Sequence, residues 1–204
     1  MEVVRIASPV SRETLSRLKA GDSVAISGVI YTARDAAHKK LIEALEVGEK
    51  PPIDLEGITI YYMGPSPAPP GRVIGAAGPT TSGRMDRYTP RLLAAGVRAL
   101  LGKGFRSPAV REAIREHGAV YMVAIGGAGA LISQHIRASE VVAYPELGPE
   151  AIRRLEVDEL PAIVINDSRG GDLYIEGRAR YQRNPDGPSG PGGEEKGPFS
   201  GGSR

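Results

Sequence analysis

The sequence contains no cysteine among its 204 residues. Disulfides, a catalytic thiol and a thiolate metal site are therefore excluded within this chain. Tryptophan is also absent and aromatic residues make up only 5% of the sequence, so a platform for stacking nucleic-acid bases is not expected. The formal net charge is only +2, which gives no general electrostatic attraction for nucleic acid.

Long hydrophobic runs are missing as well. No apolar stretch approaches the roughly 20 residues that a membrane span requires. The beginning, MEVVRIASPVSRET, lacks the apolar core of a signal peptide. We therefore expect a chain that makes no membrane contact and works in the cytoplasm.

Most of the sequence has the composition of an ordinary globular protein, and its C-terminal end is rich in glycine and proline. Hydrophobic residues make up 41% and charged residues 25% of the sequence. From Gln182 onward the chain reads QRNPDGPSGPGGEEKGPFSGGSR, which is too poor in apolar residues to form a core. We expect one domain over residues 1–181 and a disordered Gly/Pro-rich tail over 182–204.

The hydrophobic pattern predicts an α/β domain with a central sheet flanked by helices. Strands are predicted at 3–6, 23–32, 58–63, 72–77, 119–125 and 141–144, and a hairpin pairs 161–166 with 172–175. Helices are predicted at 11–19, 35–45, 89–101, 107–117, 130–136 and 150–155. The core strands are expected around Val24, Ile60, Val73, Val123 and Ile163.

One stretch, GAAGPTTSGRMDRYTP at residues 75–90, concentrates groups that bind anions. A Gly78-Pro79 turn precedes three hydroxyl residues, Thr80 to Ser82, and Arg84 follows closely. Hydroxyls, a cation and free backbone N–H groups in one turn suit an anion. The predicted strand before it and helix after it place this site at a strand end, where ligands often bind in α/β proteins.

Three further groups of cationic or glycine residues are predicted near strand ends or helix starts: Arg34, Lys103 in LGKG, and the turn Gly126–Gly129. Two or three cations around one cleft suit a dicarboxylate, because arginine binds a carboxylate through two parallel hydrogen bonds. The alternative is that these residues only stabilise loops and caps. Lys103 would then complement a helix C-terminus.

Two weaker features leave their alternatives open. The turn GGAGAL lacks the third glycine of a dinucleotide fingerprint, so it indicates at most backbone N–H groups of Gly126 and Gly127 near an anion. His38 is either a ligand or a packing residue of the predicted helix at 35–45. No metal site is predicted in this chain.

The segment GPTTSGRMD strongly resembles a motif of the iron–sulfur hydro-lyases, which comprise the class I fumarases and L-tartrate dehydratases. The segments YTARDAAHKK, LGKG, AVYMVAIGGAGAL and PELGPEAI match the same family at the same spacing, so the resemblance runs from about residue 11 to 180. It is to the C-terminal domain, which in two-subunit members is a separate β subunit.

The resemblance implies a swivelling β/β/α domain that closes over a substrate bound at a [4Fe-4S] cluster. Arg34 and Arg84 would then grip substrate carboxylates with help from Lys103. Thr80 would act as the base beside the substrate carbon, and Thr81 next to it would bind the substrate. One iron would act as a Lewis acid on the substrate hydroxyl and one carboxylate.

Because the chain has no cysteine, the resemblance implies that the cluster lies on a partner α subunit, in an α2β2 assembly. The expected reaction is hydration of fumarate to L-malate. Dehydration of L-tartrate by the same groups is the first alternative. The second is an anion-binding module that kept the fold without the catalysis.

Overall fold

The computed structural model describes residues 2–125 and 127–182. In this part of the chain the strands are β1 (Val3–Ser8), β2 (Ser23–Thr32), β3 (Thr59–Tyr61), β4 (Ala99–Gly102), β5 (Val120–Val123), β6 (Ile136–Ala143) and β7 (Ile152–Asn166). The helices are α1 (Arg12–Arg17), α2 (Asp35–Glu46), α3 (Thr89–Ala94), α4 (Pro108–Glu116), α5 (Gly129–Ile132) and α6 (Leu173–Tyr181).

Five of the strands close into a barrel. Strands β2, β3, β4 and β5 pair in that order and all run parallel. The long strand β7 pairs antiparallel with β5 on one side and with β2 on the other, which closes the ring. β1 adds to the first half of β2, and β6 adds to the first half of β7. The predicted α/β fold with a central sheet and helices is confirmed, and the sheet curves into a closed ring.

The central strands β3 and β4 are buried on both faces, and their successive residues alternate between two hydrophobic clusters. In β4, for example, Ala99 and Leu101 belong to one cluster and Leu100 to the other. The first cluster includes Ile26, Tyr61 and Leu155 from the barrel strands. The second collects side chains of the helices against the barrel, including Leu41, Leu92, Leu93, Val110 and Ile114.

Several predicted elements form where the pattern placed them. β2 has the predicted bounds, and α2 and α4 differ from prediction by one residue at most at each end. α1 is capped as expected, because the Ser11 hydroxyl accepts a hydrogen bond from the Thr14 N–H at 3.1 Å. Ser107 caps α4 in the same way through the Val110 N–H.

The helix predicted at 89–101 is wrong in its second half. α3 ends at Ala94, and residues 99–102 form β4 between β3 and β5. Gly96 has φ +118°, a conformation that ends the helix. Thr89 is the first helical residue and not the N-cap, which is Tyr88. Because Gly102 lies in a strand, Lys103 follows a strand end and the helix-dipole explanation for it is wrong.

The strand predicted at 72–77 is also wrong. This segment is irregular, and Val73 is 51% exposed, so it is not a core strand residue. Ile74 and Ala77 are buried in the same cluster as the barrel residue Tyr61. The Tyr61 hydroxyl donates to the Ala77 carbonyl at 2.5 Å. The apolar residues of this segment therefore cover the end of the barrel instead of pairing in the sheet.

The region after residue 135 differs most from prediction. The predicted helix at 150–155 is wrong because β7 begins at Ile152, and the short strand at 141–144 is part of the longer β6. The predicted helix at 130–136 is reduced to α5 and a short 3₁₀ turn. The predicted hairpin is wrong as well, because residues 173–181 form α6 and only Asn166 and Asp172 make a β-bridge.

The predicted tail at 182–204 lies outside the described residues except for Gln182, so the domain boundary at 181 stays a prediction. Within the described ranges, no helix is both long and apolar enough to cross a lipid bilayer.

Gly28 tests the packing of β1 on β2. It has φ +101° at a register shift of β2 against β7, and an added Cβ would lie 2.4 Å from the Ser8 carbonyl oxygen. We expect Gly28→Ala to lower the free energy of unfolding by about 1–3 kcal/mol more than Gly48→Ala. Gly48 is the matched control, since its φ is +74° and its Cβ would meet nothing within 4 Å. Equal losses in urea denaturation would show that the Ser8 contact does not matter.

Candidate active site

The candidate residues meet at one edge of the barrel because of strand direction. β2, β3, β4 and β5 are parallel, so their carboxyl ends lie at the same edge. Backbone hydrogen bonds continue just beyond the strands: the Tyr62 N–H donates to the Leu101 carbonyl at 2.8 Å, and the Ala124 N–H donates to the Gly102 carbonyl at 3.1 Å. The antiparallel β7 begins at this edge, with Arg153 opposite Thr32.

The hydroxyl segment lies across the ends of β3 and β4. The Thr80 N–H donates to the Tyr62 carbonyl at 2.6 Å, which holds Thr80 against the end of β3. Thr81 makes a parallel β-bridge with Lys103, directly after β4. Thr80 is half-buried, whereas Thr81 and Lys103 are exposed. The segment therefore presents Thr80, Thr81 and Lys103 together at the barrel edge.

Ser82, the third hydroxyl, has a structural position. Its oxygen accepts hydrogen bonds from the Lys103 N–H at 3.1 Å and from the Tyr121 hydroxyl at 2.9 Å, and the residue is fully buried. A Cβ on Gly102 would lie only 2.0 Å from this oxygen, so the contact requires glycine there. Ser82 thereby fixes the position of the two preceding threonines relative to the end of β4.

Arg84 is held by Asp35. Its Nε donates to Asp35 Oδ1 and its Nη2 contacts Asp35 Oδ2, both at 2.9 Å. Asp35 is the first helical residue of α2, and the N-cap is Arg34. Asp35 occupies the Nε–Nη2 edge of the Arg84 guanidinium. Only Nη1 and the second N–H of Nη2 are therefore left for another carboxylate.

Arg34 is held in a similar way by a residue far along the chain. Its Nη2 lies 3.2 Å from Glu150 Oε1, and the other Glu150 oxygen accepts the Ala36 N–H at 3.0 Å. Glu150 thus ties the segment before β7 to the first turn of α2. Three-quarters of each side chain is buried, which limits solvent screening of the pair.

The glycine turn also reaches this edge. The Ala77 N–H donates to the Gly129 carbonyl at 3.0 Å, and a Cβ on Gly129 would lie 2.9 Å from the Gly78 nitrogen. The turn therefore packs on the residues that lead into Thr80. Gly127 is exposed with φ +82°, while Gly126 lies outside the described residues. Backbone contact of either glycine with an anion stays a prediction.

A buried ion pair between Arg106 and Asp86 anchors the segment GPTTSGRMD to the core. Arg106 Nε lies 2.9 Å from Asp86 Oδ1, and the Arg106 side chain is fully buried. Its Nη1 donates to the Tyr62 hydroxyl at 3.1 Å and its Nη2 to the Thr89 hydroxyl at 2.7 Å. Sequence reasoning missed this arginine, because nothing in its local pattern distinguishes it from a surface charge. The signal that could have found it is Asp86, the acidic residue inside GPTTSGRMD, because a carboxylate there needs a cationic partner.

His38 is a packing residue and supports Arg34. Its backbone N–H and its Nδ1 both contact the Arg34 carbonyl, at 2.8 and 2.9 Å, so Nδ1 carries the hydrogen. The ring lies 5.3 Å from the Tyr62 ring, centroid to centroid, in an edge-on arrangement. Burial lowers the pKa of His38 to about 4, so the ring is neutral at pH 7.

The described residues contain no group of three His, Asp or Glu side chains placed to hold a metal ion. The sequence has no cysteine to bind an iron–sulfur cluster. The residues of this chain therefore do not fit a [4Fe-4S] cluster.

The fold and site define a class: an α/β barrel domain that gathers three cationic side chains and two threonines at the carboxyl edge of its parallel strands. A family model described as "Fumarase C-terminus" matches residues 1–177. The chain belongs to this fumarase C-terminus family, which confirms the resemblance found in its motifs. The roles of Arg34, Thr80, Thr81, Arg84 and Lys103 remain predictions.

Relatives of two kinds show the same family. "Fumarate hydratase class I, aerobic" from Escherichia coli (strain K12) is 41% identical over 162 residues, which are 78% of this chain and 30% of that protein. "Fumarate hydratase 2" from Leishmania major is 39% identical over 165 residues, 80% of this chain and 29% of that protein. The chain thus spans about three-tenths of the length of these hydratases.

The second kind is a separate subunit. The "Putative L(+)-tartrate dehydratase subunit beta" of Methanocaldococcus jannaschii is 38% identical over 173 residues, which are 82% of this chain and 89% of that protein.

His38 predicts a specific dependence of stability on pH. Its pKa is about 4 when folded and about 6.5 when unfolded, so the unfolded chain binds the extra proton and stability falls as pH drops from 6.5 towards 4. We expect this residue to account for about 2 kcal/mol of the loss between pH 7.5 and pH 5.

Urea denaturation at the two pH values measures the effect in wild type and in His38→Asn, which keeps an N–H donor. The variant should lose about 2 kcal/mol less than wild type over this range. Gly48→Ala, which removes no titratable group, is the control and should leave the pH dependence unchanged. Identical pH dependence in wild type and His38→Asn would contradict a buried neutral ring.

Proposed function

We propose that this chain is the β subunit of a two-subunit iron–sulfur-dependent hydro-lyase that hydrates fumarate to L-malate. Arg34, Arg84 and Lys103 bind the substrate carboxylates and Thr80 acts as the base. The observation that carries the proposal is the convergence of these residues at one barrel edge, in a chain that belongs to the fumarase C-terminus family.

The charges at the edge suit a dicarboxylate only in part. Three cationic side chains stand beside two carboxylates, Asp35 and Glu150, which hold the two arginines in place. The group therefore keeps one net positive charge for a substrate that carries two negative charges. A positive group contributed by a partner would therefore strengthen binding of the second carboxylate.

Exposed apolar side chains close in sequence to the site residues support the same partner. Phe105, Ile125 and Leu131 are 72%, 62% and 64% exposed, respectively. Phe105 follows Lys103 by two residues, and Ile125 and Leu131 flank the glycine turn. Apolar residues grouped around a polar site are typical of an interaction surface. We propose that a cluster-bearing α subunit covers this edge in an α2β2 assembly.

The chemical task of this chain is to orient the substrate and move one proton. The arginines fix the two carboxylates, so the carbon that loses a proton in the direction of malate dehydration lies against Thr80. A threonine hydroxyl is a weak base in water, so exclusion of water and a carboxylate from the partner must activate it. The cluster, held by the partner, would polarise the substrate. The swivelling domain motion implied by the resemblance would close the site.

A tartrate dehydratase is the second candidate, favoured by the match to 89% of the tartrate dehydratase β subunit. Tartrate differs from malate by one added hydroxyl group, so the same arginines can bind its carboxylates. The third candidate is a non-catalytic anion-binding module, which would keep the cationic edge but not the partner chemistry.

Reconstitution tests the proposal directly. The chain is expressed alone and together with a neighbouring gene product that carries the cluster cysteines, and the cluster is rebuilt without oxygen. We expect the chain alone to fold, bind no iron and hydrate no fumarate. The complex should interconvert fumarate and L-malate, and it is assayed in parallel on both tartrate enantiomers.

Each outcome separates the candidates. Turnover of tartrate but not malate assigns the second candidate. A complex that binds dicarboxylate without turnover assigns the non-catalytic module. Turnover by this chain alone, free of any partner, would contradict a site shared between two subunits.

Thr80→Ala should stop proton transfer while assembly and substrate binding stay nearly intact. Loss of a general base typically lowers a rate by roughly 10²–10⁴, whereas loss of one neutral hydrogen bond costs roughly 0.5–1.5 kcal/mol of affinity. The measurement is exchange of the substrate C–H proton with solvent deuterium in the reconstituted complex.

Thr81→Ala is the matched control, because Thr81 is the adjacent hydroxyl and is exposed. It should be milder in the exchange assay. Exchange near the wild-type rate in Thr80→Ala would place the base elsewhere. A larger loss in Thr81→Ala would transfer the role to the second hydroxyl.

A further inference from the structure

A cleft of about 310 Å³ opens beside the end of the barrel, and none of Arg34, Thr80, Arg84 and Lys103 lines it. One wall is the proline-rich segment at 65–68, and another is the irregular segment at 73–75. Gly148, Pro149 and Arg153 complete it at the start of β7. Most of this lining is apolar and is stiffened by three prolines.

Arg153 is the only charged residue among those that line the cleft. Its Nε is buried and has no hydrogen-bond partner among the described residues. No carboxylate in the described part of the chain lies within 4.0 Å of its guanidinium. The Nε of Arg34 is buried without a partner too, but the guanidinium groups of both Arg34 and Arg84 are each paired with an acidic residue.

The backbone holds Arg153 in place. The residue pairs with Thr32 in the β2–β7 ladder, and its N–H donates to the Thr32 hydroxyl at 3.1 Å. A buried guanidinium nitrogen without a partner is costly, because it loses hydration and gains nothing in return. An anion bound in the cleft would remove this cost.

Ser66 adds a second polar group to the wall. Its hydroxyl accepts the Ala76 N–H at 2.8 Å, so its own hydrogen is left for a further acceptor. A Cβ on Gly75 would lie 2.4 Å from this oxygen, so glycine at 75 allows the two walls to approach this closely. The cleft thus combines one cation, one hydroxyl and apolar walls.

We propose that this cleft binds a small monocarboxylate with a short aliphatic body, and that the carboxylate pairs with Arg153. One unpaired cation suits one anionic group, and the side chains of Pro65, Val73 and Ile74 suit an aliphatic chain. The cleft neighbours the candidate active site but shares none of Arg34, Thr80, Arg84 and Lys103 with it, and the proposal does not depend on the proposed function.

The test is a titration of the full chain with pentanoate, followed through the arginine Nε–H signals in ¹⁵N-labelled protein. We expect one signal to shift in a saturable way, with a dissociation constant on the order of 1 mM for such a small ligand. The signal is assigned to Arg153 by its absence from Arg153→Gln. Pentanamide, which lacks the charge, and acetate, which lacks the aliphatic body, should bind at least tenfold more weakly.

Variants locate the site. Arg153→Gln should weaken pentanoate binding at least tenfold, whereas Arg154→Gln, which removes the same charge from the neighbouring residue paired with Glu156, should not. Val73→Asp is an independent variant at a half-exposed wall residue, and its carboxylate should repel pentanoate without disturbing the core.

Three results would overturn the proposal. The first is a shift that does not saturate. The second is unchanged binding in Arg153→Gln or Val73→Asp. The third is equal affinity for acetate and pentanoate, which would show that the walls select no aliphatic body.

Discussion

The antiparallel closure by β7 is the constraint on which the rest of the structure depends. Without it, β2 to β5 would be an open parallel sheet with an unpaired edge at each end. Hydrogen bonds from β7 to both β2 and β5 close the ring. Because β7 runs in the opposite direction, its beginning pairs with the carboxyl end of β2, directly before Arg34. That reversal brings Glu150 to Arg34, although the two residues are far apart in sequence.

Ion pairs hold the edge of the barrel in position. Asp35 orients Arg84 and Glu150 orients Arg34, so both guanidinium groups are fixed before any ligand arrives. Preorganised charges cost less to use than flexible ones, since little side-chain freedom is lost on binding. Below them, the Arg106–Asp86 pair is buried, and removing one partner of such a pair typically costs about 3–5 kcal/mol. The motif GPTTSGRMD therefore includes both exposed candidate residues and residues that anchor it.

Sequence reasoning succeeded where a local pattern determines the outcome. The β-branched run at 23–32 forms β2 with the predicted bounds, and α2 and α4 form within one residue of theirs. It failed where tertiary pairing overrides local preference. The leucines at 100 and 101 continue the helical pattern predicted to 101, but the two neighbouring strands make residues 99–102 β4. The apolar segment at 72–77 was assigned to a strand, but its buried side chains cover the end of the barrel.

The sequence by itself determined three things: the family, the absence of any thiolate ligand in this chain and the set of candidate residues. Each of these depends only on residue types and their spacing. Only the tertiary structure decided that the sheet closes, that Asp35 and Glu150 hold the two arginines, and that Arg106 is buried beneath the motif. Arg153 beside an apolar cleft is a further case. These features depend on contacts between residues far apart in the chain, and a local pattern does not encode which distant charge will pair with which. The physical reason is that burial, which makes a charge need a partner, is a property of the packed barrel and not of any single segment.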